Sequence, residues 1–161
     1  MTSEERKAKI DELGGFALAL PQALKEFPRS MWHYKPDPDH WCIQEVIFHL
    51  LDTEINFYIR YRACLAEPGK AIMPFDQDVW ARELRYKDGD VDQALAGLVW
   101  ALQANYGLLK NLPEEAFLKT VTHPERGVLT LERILEYSLG HIPHHIGQIR
   151  KRHNEWKALQ K

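Results

Sequence analysis

The sequence is poor in cysteine, with only Cys42 and Cys64 among 161 residues. If both lie on one helix, the 22 positions between them, at ~1.5 Å rise each, hold them roughly 33 Å apart. A disulfide needs Cα atoms within about 7 Å, so no internal bridge is expected. A reducing cytoplasm is the expected compartment. No run reaches the ~18–20 apolar residues that span a bilayer, and no membrane partner is expected. The opening MTSEERKAKIDE is charged and has no apolar core, so no secretory signal is expected. Charge of one sign is not in excess either: 21 Lys and Arg stand against 23 Asp and Glu, for a net charge of -2. That balance argues against a general nucleic-acid surface. The one basic cluster, RKRH (150–153), reads as a solvated complement to a helix dipole.

Several catalytic signatures are also missing. There is no Cys-x-x-Cys, no haem attachment motif and no phosphate-binding Gly-rich loop. No Gly-x-Ser-x-Gly elbow supports serine hydrolase chemistry. Ferritin-like di-iron bundles need Glu-x-x-His on two helices, whereas Glu45 and His49 are four apart and have no second copy.

What is present is helical periodicity. Hydrophobic residues make up 45% and charged residues 27%, a globular balance that fits one domain over 1–161. A first helix is expected from about Ser3 to Glu26, with Ile10, Leu13, Ala17, Leu20, Leu24 and Phe27 as its apolar stripe. Pro21 should kink it. KPDPDHW (35–41) reads as an extended loop. A second helix should run from about Cys42 to Ala66, and residues 76–85 suggest a short one. Asp90 with Gln93 three residues on reads as a capping box opening a third long helix. Residues 117–129 look irregular or weakly extended, with HPERG (123–127) as a turn. Thr130 then caps a last helix to about Trp156. Four long amphipathic helices give an all-α fold, an up-down-type four-helix bundle with a long connection between helices 2 and 3. That connection, about 66 to 90, is a crossover or a site wall.

The last helix carries HIPHHIGQI (141–149). His141 and His145 are four apart, so on a helix they share a face with Cβ atoms roughly 5–6 Å apart. Two imidazoles so placed can ligate one metal ion. The pair also fits a solvated helix face. A third ligand must come from elsewhere, and His49 is a candidate in the middle of the second helix. Cys42, Glu45, Asp52, Thr53 and Asn56 continue its face. Taken alone, His49 reads first as part of a polar, solvated face next to a core stripe, or as a satisfied core histidine, and only the need for a third ligand opposite the pair raises it. His33, His40, His123 and His153 read as surface residues, with His40 a pocket-rim candidate.

Two segments together resemble a known family. WCIQEVIFHLLDTE (41–54) resembles the Trp-Ser/Thr-x-x-Glu-Val-x-x-His-Leu-x-Asp-x-Glu segment of the DinB/YfiT-like superfamily, which is distinct from the DNA polymerase sharing that name. HIPHHIGQI resembles its His-x-x-His-His-x-Gly-Gln signature. The resemblance implies a metal-binding four-helix bundle in which His49, His141 and His145 hold one divalent ion, nickel or zinc. His144 matches a motif histidine that is not usually a ligand. Two positions depart from the pattern. Cys42 stands where Ser or Thr is usual, and Ile146 where many members carry arginine. On this reading Pro143 aims the two histidines inward, and Gly140 and Gly147 let a facing helix approach; equally, all three are tolerated irregularities near the end of a helix. Glu45, Asp52, Gln148 and Tyr137 are candidates to orient the imidazoles or carry protons.

Three neutral ligands leave a position open for water or substrate. The implied function is a metal-dependent enzyme acting on a small molecule. It is either a hydrolase, with a base such as Glu45, or a transferase using a low-molecular-weight thiol. The alternative is a non-catalytic bundle that its metal stabilises. Family members are often dimers, which makes a homodimer the expected assembly.

Overall fold

The computed structural model describes residues 1–160. Helix α1 (Ser3–Leu24) starts at a reciprocal cap: the Thr2 hydroxyl accepts from the Glu5 amide, and the Glu5 carboxylate accepts from the Thr2 amide. Its expected stripe is buried from Ile10 to Leu24. The helix ends two residues early and carries Pro21 in its last turn, where the missing N–H costs only one late bond.

Helix α2 (Ile43–Ala66) is capped by Cys42, whose amide donates to Glu45 Oε2 at 2.8 Å. The box therefore closes although cysteine replaces the better cap. A short helix α3 (Gln77–Glu83) follows the long connection. In α4 (Val91–Leu109), Asp90 Oδ1 accepts from the Asp92 and Gln93 amides. The expected box is only half made, because the Gln93 side chain stands exposed. Helix α5 (Leu131–Ala158) is capped by Thr130 and continues unbroken through Pro143. Pro143 is exposed, and its missing N–H removes the helical partner of the Leu139 carbonyl.

Helices α1 and α2 each pack against both α4 and α5, so the order around the bundle is α1, α4, α2, α5. The first two helices thus lie on a diagonal, and the buried apolar residues form one cluster between all four. The close backbone approaches are not at Gly140 and Gly147, where an added Cβ would meet nothing within 4 Å. Both face outward, while Ile142, His145 and Ile149 turn inward. The tight glycines are Gly89, whose added Cβ would lie 2.3 Å from the Phe48 ring, and Gly14, whose added Cβ would lie 2.8 Å from the Tyr106 ring.

Residues 117–129 hold more order than their sequence suggests. Strands β1 (Thr120–His123) and β2 (Gly127–Thr130) form an antiparallel hairpin with Thr120 opposite Thr130. Gly127 takes φ +69 at its turn, a conformation open to glycine. The chain after α2 runs parallel to β1: the Ile72 amide donates to the Thr122 carbonyl, and the Thr122 amide to the Lys70 carbonyl, each at 2.9 Å. The long connection is therefore pinned as a wall. Cys42 and Cys64 are free and buried. Among the described residues no helix is long and apolar enough to cross a membrane.

Candidate metal centre

The α2–α5 contact brings His49 opposite the pair on α5. His49 Nε2 lies 2.9 Å from His141 Nε2, and His145 Nε2 lies 3.1 Å from the same atom. The three ring centroids stand 4.6, 4.7 and 4.8 Å apart. Nitrogens bound to one ion at about 2.1 Å must fall roughly 3–3.5 Å from each other, so these separations fit a single coordination sphere. The three imidazoles are the group of potential ligands with the right spacing among the described residues.

The electrostatics favour neutral rings. Burial, then the neighbouring imidazoles, push His49 down to about 2 and His141 to about 3. Burial pushes His145 down to about 4. At neutral pH each ring therefore keeps a lone pair on one nitrogen. For His145 that nitrogen is fixed. Its Nδ1 lies 3.0 Å from Gln148 Oε1, and an amide oxygen can only accept. Nδ1 must carry the proton, which leaves Nε2 bare and facing the other two rings. Gln148 Nε2 lies 2.9 Å from His144 Nε2 and donates to it. His49 Nδ1 and His141 Nδ1 are buried with no partner.

Trp41 lies against the cluster, its ring 4.7 Å from that of His49 and 6.4 Å from that of His145. A cleft of about 490 Å³ opens on the His49 and His141 side. Its walls come from α2, the pinned connection at Ile72 and Phe75, the hairpin, and α5 at Tyr137. A second cavity of about 330 Å³ lies on the His145 side and is bordered by His40, Trp41 and Gln148. His144 is exposed and borders both.

The candidates to orient or assist the imidazoles divide. Gln148 touches His145 as expected. Glu45 does not touch His49: its carboxylate takes the Cys42 amide and pairs with Lys35 Nζ at 2.8 Å. Asp52 accepts instead from the Tyr86 hydroxyl. Tyr137 lines the larger cleft one turn before His141. Cys42 borders neither cavity, and burial pushes its thiol up to about 11.

Two surface readings are corrected. His123 is buried at the hairpin and lines the cleft. Arg152, within the cluster expected to be solvated, is 7% exposed and borders the second cavity. Arg60 and Arg126, neither of them expected at the site, also line the cleft. Arg60 had a signal: His49, Thr53, Phe57 and Arg60 recur at helical spacing on one face. Arg126 had none, because the turn at HPERG (123–127) does not say which cleft it borders.

A profile of the DinB superfamily matches residues 18–149. YfiT of Bacillus subtilis (strain 168) is 31% identical over 150 residues, covering 91% of this chain and 84% of its own. A Bacillus cereus (strain 03BB102) relative is 29% identical over 157 residues, covering 96% of this chain and 90% of its own. Both relatives bear metal-dependent hydrolase names of a provisional kind. The solved structure of YfiT is described as a probable metal-dependent hydrolase with an unusual four-helix bundle topology. It superposes with a TM-score of 0.86 at 28% identity, over 94% of this chain and 87% of that one.

Proposed function

The chain belongs to the DinB superfamily, and from that premise we propose that it is a metal-dependent enzyme whose His49, His141 and His145 hold one divalent ion, zinc or nickel, beside a substrate cleft. The observation that carries this reading is the convergence of three neutral imidazole nitrogens at the mouth of an open cavity. A structural site would be closed by a fourth protein ligand. Such an ion supplies Lewis acidity and lowers the pKa of a bound water or thiol.

The protein's own groups have separable roles. Gln148 fixes the His145 tautomer. Trp41 and Phe75 shield the imidazoles from bulk water. His144, exposed between the two cavities, is the group placed to carry a proton to or from a reacting molecule. Hydrolysis is the reaction the relatives' names support. One observation favours thiol transfer as a second reading: Glu45, the base a hydrolase would have used, is committed to the helix cap and Lys35.

The test is elemental analysis of the purified protein and of His49→Ala. About one ion per chain is expected in the former and almost none in the latter, with helical content unchanged. Stoichiometric metal retained in His49→Ala would remove the ligand set. Turnover of a reporter ester without added thiol would select hydrolysis, and turnover of an electrophile only with thiol would select transfer.

A further inference from the structure

Two guanidinium groups enter the larger cleft from separate elements. Arg60 lies on α2, and Arg126 at the hairpin turn. Arg60 donates through one terminal nitrogen to the Met73 carbonyl at 3.1 Å, while its Nε is buried with no partner. The Arg126 guanidinium lies 4.8 Å from the Tyr137 ring centroid. Burial and the Arg126 charge both work against the Arg60 cation. Among the described residues neither arginine has a carboxylate within 4.0 Å. Glu125, the one carboxylate bordering the cleft, stands exposed. Arg60 is half-buried and Arg126 exposed, and two like charges bordering one cleft without a paired carboxylate favour a ligand that brings the opposite charge.

We propose that this cleft takes an elongated substrate whose carboxylate is held between Arg60 and Arg126 while its reactive atom lies at the three histidines. The assignment of the reactive end rests on the metal reading above; the carboxylate end does not. Geometry sets the length. His49 and Arg60 are eleven residues apart on one helix, so their Cα atoms are about 16 Å apart along its axis. The arginine side chain covers part of that span and leaves on the order of 10 Å for the ligand. Phe57 and Thr53 lie between them on the same face of α2, and Ile134 and Leu129 face them across the cleft. The middle of the ligand therefore meets mainly apolar surface. A bidentate guanidinium contact suits a carboxylate in its planar shape as well as its charge.

The experiment compares hexanoate with 1-hexanol, equal in chain length, by chemical-shift titration of the purified protein. Hexanoate should bind roughly tenfold more tightly, the usual worth of a charge-assisted pair. The Arg60→Gln/Arg126→Gln protein should bind hexanoate no better than hexanol, and the Arg60→Lys/Arg126→Lys protein should recover part of the preference. His49→Ala should keep it. Added KCl should erode it in the unaltered protein, a readout that needs no variant to fold. Equal binding of the two probes overturns the proposal. So does a preference that survives loss of both arginines, or one that disappears with His49, since the carboxylate would then sit at the histidines. Metal content of the same samples separates the two readings: a metal-free protein that still prefers hexanoate refutes the ion and leaves this site standing.

Discussion

Gln148 shows how a single side chain can decide which nitrogen a histidine offers. Its oxygen accepts from His145 Nδ1, and its amide donates to His144. Nothing comparable holds His49 or His141, whose Nδ1 atoms have no partner. The tautomer control is therefore concentrated at one of the three imidazoles. Gln148→Ala is expected to weaken metal binding about 10–100-fold, the usual cost of losing such a partner. Competition against a chromophoric chelator measures it, and an unchanged affinity would show that His145 orients itself. The Gln148 contact was legible because position i+3 on a helix lies beside position i. Glu45 was legible as a polar neighbour of His49 but not in its actual use. A carboxylate at the third position of a helix can serve the cap or the site, and spacing alone does not choose between them.

At the scale of elements, a buried polar knot joins three helices on the far side of α2 from His49. Glu54 is fully buried, and its carboxylate accepts from Asn105 of α4 at 3.1 Å and from Ser138 of α5 at 3.2 Å. No cation reaches it, so burial raises it from an ordinary 4.5 to about 7. A carboxyl raised on folding contributes stability that is fully present below its unfolded pKa. That contribution is lost as the pH rises through about 7. Glu54→Gln should therefore melt several degrees higher than the unaltered protein at alkaline pH and nearly with it at acidic pH. Thermal melts across that range decide the matter; a constant gap between the two proteins would mean that Glu54 does not titrate there. The buried Asn105 Oδ1, now without a partner, can accept from the new amide. Helix existence and the caps at Asp90 and Thr130 were readable from sequence, because stripes and capping residues are local patterns. The hairpin was not, since strands of four residues give too few alternations to stand out.

The whole molecule has a core that closes without the three-histidine cluster. The apolar cluster runs through all four long helices, and the three imidazoles are not members of it. Chelation is therefore expected to leave far-UV helicity intact at ambient temperature. It should lower Tm by on the order of 10 °C, as loss of a tightly bound ion does for a protein of this size. Loss of helicity on chelation would instead favour the metal-stabilised, non-catalytic bundle. Within this molecule the sequence by itself determined the four helices, their buried stripes and the three histidines, because periodicity and i, i+4 spacing act within one segment or repeat a two-segment pattern. Only the tertiary structure decided the diagonal placement of α1 and α2, the burial of His123, and the meeting of Arg60 with Arg126 in one cleft. Those depend on which faces pack together across long stretches of chain, and no local pattern encodes that choice.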